Sequence, residues 1–325
     1  MSLFETFLEL DIPTVEKENV FNATSLSNFS FAKVAINNDG YPVVLISSVP
    51  DGTHLLQKNI RLTYIELFHN VECSVSEKSS AKLSRFSVIV FKSTERHLQS
   101  YFLEIAELLL TKLTARTTQK ELLTAFNSFV EIFRALSQPP SKTVQGLWSE
   151  LFVIENSTDP MVLINHWHRI PEEKFDFNAD GEKIEVKSST SMNRIHIFSS
   201  DQLNPPDDKE VLIASVFTKQ SSTGISIYGL IERLSNKNIK EELLDKLMTL
   251  VSRTLGNSLE QSLKIKYDYE LAKESLRYYS HRDISKIERI NIPERVSEVK
   301  YKSDLTETEA INPNELNSNS LFGAL

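Results

Sequence analysis

The alternation of apolar and polar positions divides the chain into two stretches. Early on, Phe31 to Ile36 and Tyr41 to Ser47 are rich in β-formers and flank Asn37-Asn38-Asp39-Gly40. Asn and Gly tolerate positive φ, so the pattern predicts a hairpin. Further strands are predicted at Ile60 to Phe68, Val71 to Val75 and Phe86 to Phe91. The period then lengthens, predicting helices over Leu98 to Leu113 and Glu121 to Leu136; in the second, Leu122, Leu123, Phe126, Phe129, Val130 and Phe133 fall at helical spacing. Gln138-Pro139-Pro140 stops that helix, since proline lacks the N–H and clashes with the preceding turn. Residues 1–140 are therefore expected to form an N-terminal α+β accessory domain.

Beyond this point the pattern predicts a helix over 143–156, then short strands at 174–178, 182–188 and 194–198. A helical turn follows, then strands over Val211 to Phe217 and Gly224 to Ile231 and a helix from Lys240 to Arg253. That order makes residues 141–302 an α/β domain, a mixed sheet flanked by helices. Residues 303–325 read as a polar C-terminal tail.

Composition narrows the class. The 325 residues are 40% hydrophobic and 25% charged, with 8 Gly and 11 Pro, which is globular and excludes fibrous or low-complexity chains. A single cysteine, Cys73, supports neither an internal disulfide nor a thiolate zinc site and suggests a reducing compartment. Met1 to Pro13 carries Glu5, Glu9 and Asp11 without a basic residue, unlike a signal peptide. The most apolar helical stretch, Leu103 to Leu113, is interrupted by Glu104, Glu107 and Lys112, so no membrane span and a cytoplasmic location are expected. The net charge of -8 argues against a general polyanion binder. Residues 141–302 are near balance, with 23 basic against 25 acidic residues, so any nucleic-acid surface is a local patch. Lys264 to Lys302, with ten basic and seven acidic residues and interleaved tyrosines, reads equally well as such a patch or as a partly buried amphipathic element.

The chemistry concentrates at Phe175-Asp176-Phe177 and Gly181-Glu182-Lys183-Ile184-Glu185-Val186-Lys187-Ser188-Ser189. Strand alternation puts Glu185 and Lys187 on one side and Ile184 and Val186 on the other. With Asn178 to Gly181 as the turn, hairpin pairing brings Asp176 alongside Glu185. Magnesium takes oxygen ligands, often one or two carboxylates, and polarises a phosphoryl oxygen, while a neighbouring ammonium offsets developing charge. The set therefore suits phosphodiester hydrolysis. A third carboxylate comes from the preceding helix, where Val144, Leu147, Trp148, Leu151 and Ile154 form the apolar stripe. Glu150 lies about 40° from Ile154 at its border, and Gly146 on the same flank leaves room for close approach.

These residues resemble the PD-(D/E)XK nuclease superfamily, whose fold is a restriction-endonuclease-like mixed sheet flanked by helices. More narrowly, Gly146-Leu147-Trp148-Ser149-Glu150-Leu151, Phe175-Asp176-Phe177, Ile184-Glu185-Val186-Lys187-Ser188-Ser189 and Ser199-Ser200-Asp201-Gln202-Leu203 are similar to a bacterial domain family of unknown function assigned to that superfamily. Arg289-Ile290-Asn291-Ile292-Pro293 and Val296-Ser297-Glu298-Val299-Lys300-Tyr301 look like its C-terminal signature. Members of that family are found beside helicase-like ATPases, GHKL-type ATPases and cytosine methyltransferases in restriction and phage-defence loci. The resemblance implies a metal-dependent DNA endonuclease that leaves a 5′ phosphate, with magnesium, or manganese in its stead. It implies Asp176 and Glu185 as metal ligands, Glu150 as a further ligand or water-positioning carboxylate, and Lys187 as the water-orienting lysine. Phe175 stands where the motif name has proline, a change that RecB-like branches tolerate. His196, Gln202 and Ser188 are candidates for substrate contact, His196 equally as a hydrogen-bonded strand histidine. His166 and His168 would share one side of a strand; with no third His or Cys nearby, a structural or surface role is expected. The competing class is a catalytically inactive subunit that keeps the fold as a DNA- or partner-binding module.

Overall fold

A computed structural model describes the chain except residues 1, 16, 50–57, 78–79, 136–139, 141, 169–172, 317 and 319, and gives only the backbone at 80, 128, 131, 134–135, 260 and 314. Gln138 and Pro139, at the expected boundary, lie outside the described residues. The chain forms two compact units, one of residues 1–140 with 256–260 and one of residues 141–255 with 261–325.

Unit 1 begins with helix α1 (Leu3–Leu8) and continues through strands β1 (Val20–Ser25), β2 (Ala32–Ile36), β3 (Pro42–Ile46), β4 (Ile60–Arg61), β5 (Ile65–Glu77) and β6 (Ser80–Phe91) to helices α2 (Arg96–Thr111) and α3 (Gln119–Ala135). The β2–β3 hairpin forms as expected: Asn37 Oδ1 accepts the N–H groups of Asp39 (3.1 Å) and Tyr41 (2.8 Å), and Gly40 takes φ +76°. The sheet runs β1-β2-β3-β6-β5-β4, and β1 also pairs in parallel with β5, Val20 opposite Ser74. The first five of these strands therefore close into a ring. Its interior holds Phe21, Ala35, Val43, Leu45, Cys73 and Val88, among others. Every residue of β3 is buried, because the outer face of this sheet is also covered: Phe91 stacks on Phe102 of α2 at 4.9 Å and meets Phe133 of α3 at 5.9 Å. The break expected between Phe68 and Val71 is a bulge within one strand, with Asn70 at φ +55°. The strand expected at Phe86 begins at Ser80, and its residues 81–85 are exposed.

Unit 2 is a mixed α/β fold. Helices α4 (Val144–Asn156) and α5 (Pro160–His166) precede strands β7 (Phe177–Asn178), β8 (Glu182–Ser189) and β9 (Ile195–Ser199). Then come α6 (Ser200–Leu203), β10 (Glu210–Phe217), β11 (Gln220–Ser226), α7 (Ile227–Ser235) and α8 (Glu241–Leu255). Helix α9 (Leu259–Lys264), which straddles the limit of the two units, leads to β12 (Lys266–Tyr267), α10 (Tyr269–Ser275), β13 (Arg277–Ser280) and β14 (Lys300–Asp304). The central sheet runs β13-β10-β8-β7, with β8 parallel to β10 and the outer pairs antiparallel. Thr143 caps α4 through its Oγ1, and from Leu147 to Glu155 every residue of this helix is buried. Such a helix is a core element. Trp148 anchors it, stacked on Phe152 at 5.4 Å, with its indole N–H donated to the Ile225 carbonyl at 2.9 Å.

Three expectations are corrected in this unit. The strand over Gly224 to Ile231 ends at Ser226, whose Oγ accepts the Gly229 N–H and starts α7; Ile227, Leu230, Ile231 and Leu234 are its buried face. The third strand, β9, pairs not with the central sheet but with β14, Phe198 opposite Tyr301. The polar tail is packed structure: β14 crosses its start, Leu305, Leu321, Phe322 and Ala324 are buried, and the Ala324 carbonyl accepts the Thr158 N–H. Among the described residues no helix is long and apolar enough to cross a membrane.

Candidate metal and active site

The β7–β8 hairpin pairs Phe177 with Ile184, so Asp176, just before β7, comes level with Glu185. Asp176 Oδ2 accepts the Val186 N–H at 2.8 Å, which fixes the carboxylate against β8. On β8 the Lys187 ammonium donates to Glu185 Oε1 at 2.7 Å and lies 5.2 Å over the Phe198 ring. Gln202, on the helical turn after β9, donates from Nε2 to the same Glu185 oxygen at 2.6 Å, while its Oε1 accepts the Ser199 N–H. Glu150 reaches the other side of Asp176 from α4. Its Oε2 accepts the Trp167 indole N–H at 2.8 Å. The three carboxylates are only 3–6% exposed.

Two residues not expected at the site join it. Lys142, just ahead of the cap of α4, donates to Glu150 Oε1 at 2.6 Å and to Asp176 Oδ1 at 2.8 Å. His168 Nε2 lies 2.8 Å from Glu150 Oε2 and 2.9 Å from the Lys142 ammonium. The expected strand carrying His166 and His168 is instead the end of α5 and the turn after it. His166 donates to the Asn178 carbonyl, whereas His168 sits at φ +40° with its backbone N–H on the Asp176 carbonyl. That left-handed conformation costs a non-glycine residue about 1 kcal/mol or more, and here it turns the ring toward the acids. The side chains that stand beside His168 are carboxylates, not further His or Cys. Ligand atoms of Glu150, His168 and Asp176 lie within 4.8 Å of one another.

The remaining candidates lie elsewhere. Ser188 accepts from Gln145 Nε2 at 3.0 Å, on the side of β8 away from Glu185 and Lys187. His196 is turned inward, 4% exposed and 2.8 Å from Ser215 Oγ, while its neighbours Ile195 and Ile197 are the exposed residues of β9. Burial, then the Lys187 charge, pulls its pKa down to about 4, so it is a neutral, hydrogen-bonded strand histidine.

The electrostatics divide the carboxylates. Burial alone would raise Glu150, but the hydrogen bond from His168 and the Lys142 charge bring it down to about 2. Burial and then the charge of Asp176 push Glu185 up to about 8, against the pull of Lys187. Asp176 is raised by burial and by Glu150, over the opposing pull of Lys142. Three acids thus face two ammonium groups, so Glu150 is held ionised while Asp176 and Glu185 tend to keep a proton.

A pH dependence follows with a definite sign. Between its ordinary 4.5 and about 8, Glu185 keeps a proton in the folded protein that it has lost in the unfolded chain, so stability falls as pH rises through that window. Glu150 acts oppositely: its contribution is present above its ordinary 4.5 and lost as pH falls toward about 2. In a chelator, thermal unfolding should therefore occur at lower temperature near pH 8 than near pH 5, and Glu185→Gln should flatten that slope. An unchanged slope in the variant would assign the effect to another group.

Residues 5–306 match the family described as "Putative PD-(D/E)XK family member, (DUF4420)". The chain belongs to this family. Comparison with the curated proteins and with the solved structures returns no match. The family name implies a nuclease-like fold, and the mixed α/β architecture fits it. Such a family usually holds divalent metal on acidic residues, and the Glu150, His168 and Asp176 donor set is of that kind.

Proposed function

We propose that this protein is a metal-dependent DNA endonuclease acting in a bacterial restriction or phage-defence system. The observation that carries the reading is the convergence of Asp176, Glu185 and Lys187, with Glu150 beside them, in one buried polar site. The donor chemistry fits a hard divalent ion: carboxylate oxygens dominate, and the site already draws an ammonium group into itself. Asp176 and Glu185 would hold magnesium or manganese, with Glu150 as a further ligand. Bound metal supplies Lewis-acid polarisation of the scissile phosphate and a more acidic attacking water. Lys187, held by Glu185, orients that water and offsets negative charge growing on the phosphate. Gln202 keeps the Glu185 carboxyl in place. DNA is the substrate this chemistry serves, and the defence setting rests on the family resemblance, with an ATPase or methyltransferase as companion. Residues 1–140 would act as the accessory domain.

The direct test is DNA incubated with the purified chain and magnesium or manganese, alongside calorimetric titration of the metal. Wild type should cut and bind metal, and Glu185→Ala should lose both. Metal binding without cutting, even with the proteins encoded beside it, would favour the inactive binding module.

A further inference from the structure

The Glu150, His168 and Asp176 cage contains a cation that belongs to the chain. The Lys142 ammonium stands 2.6 Å from Glu150 Oε1, 2.8 Å from Asp176 Oδ1 and 2.9 Å from His168 Nε2. It thus touches each of the three side chains whose ligand atoms lie within 4.8 Å of one another. The Lys142 side chain is 34% exposed, against 4% and 9% for those of Glu150 and Asp176, so it reaches inward from the rim to acids that are almost wholly buried. We infer that Lys142 is a resident counter-ion which a divalent metal must displace to enter this cage, and that Lys142 thereby sets the metal affinity of the site.

The physical argument has two parts. Buried carboxylates without a partner are costly, and an ammonium on a flexible stem supplies the compensating charge when no metal is bound. Once a divalent ion is drawn to the same oxygens, the Lys142 ammonium cannot stay: it sits on Glu150, Asp176 and His168 alike, where the ion itself would lie, and the oxygen lone pairs there serve one cation or the other. The free energy of metal binding is therefore reduced by the cost of withdrawing Lys142. This inference rests on the nuclease reading only in that the site takes a divalent metal.

Manganese titrated calorimetrically into the full chain, Lys142→Met and Lys142→Arg tests it. Lys142→Met keeps the length of the side chain and removes the charge, so it should bind manganese at least about tenfold more tightly than wild type, or gain an additional equivalent. Lys142→Arg, which restores a cation, should return to weak binding. In a chelator Lys142→Met should unfold at lower temperature than wild type, and manganese should raise its midpoint by more than it raises that of wild type. Equal affinity and stoichiometry in Lys142→Met and wild type, with binding lost in Glu185→Ala, would overturn the exchange and leave the nuclease reading standing. A Lys142→Met protein unfolded both with and without manganese would overturn it too, since the metal would have failed to replace the ammonium. No metal binding by any of the proteins would bring down the exchange and the nuclease reading together.

Discussion

Lys187→Ala is expected to lower the rate of DNA cleavage by about 10³-fold while the protein stays folded, in line with the loss of one preorganised group that stabilises charge in a transition state. The side chain is held from two directions, by the ion pair to Glu185 at 2.7 Å and by the Phe198 ring at 5.2 Å. Its ammonium is thus placed before substrate arrives. Glu185 keeps its contact to Gln202 in the variant, so the carboxyl is not left without a donor. Single-turnover cleavage of a labelled duplex, read beside thermal unfolding and manganese titration, separates the roles. Cleavage should collapse while the midpoint moves little and metal still binds. A variant that cuts at the wild-type rate would remove Lys187 from the chemistry.

Trp148→Ala carries the largest expected cost in stability, about 3–5 kcal/mol. The indole is fully buried, stacked on Phe152 at 5.4 Å and tilted against Tyr267 at 5.1 Å. Removing it opens a cavity under α4 and leaves the Ile225 carbonyl without its donor, a further penalty for a buried acceptor. At roughly 2–4 °C per kcal/mol for a unit of this size, the unfolding midpoint of unit 2 should fall by about 10 °C. Trp148→Phe, which fills most of the space, should lose less than half of that. Differential scanning calorimetry checks both, and a shift below a few degrees would show that the helix is not anchored there.

The parts of this site written in short-range patterns could be read from the sequence. The helix carrying Glu150 follows from the spacing of Leu147, Trp148, Leu151 and Ile154, and the neighbourhood of Asp176 and Glu185 from period-two alternation around a turn. Lys142 and His168 could not be found that way. Each lies outside a regular element, and their partners are 8 and 34, or 18 and 8, residues away along the chain. Their reach depends on a long flexible stem in one case and a left-handed backbone in the other. The start of α7 is also written at short range: Ser226 is an N-cap residue, and Ile227, Leu230, Ile231 and Leu234 repeat at helical spacing. His196 lies where the hydrogen-bonded strand histidine of the sequence reading would, because the β9–β14 pair exposes its isoleucines and buries the imidazole against Ser215.

The closure of the ring in unit 1 has a consequence for how that unit is made. Strand β1 meets β5 through Val20 and Ser74, a pairing far apart in the chain, so it cannot form until both β1 and β5 have left the ribosome. Until then the β1–β2–β3 meander emerges with two open edges and an uncovered apolar face, the state in which a nascent chain is most prone to pair with its neighbours. Completion of the ring removes both edges at once. Synthesis of this protein at high concentration should thus be limited by the early life of its first 91 residues, through the end of β6, when chaperone capture matters most.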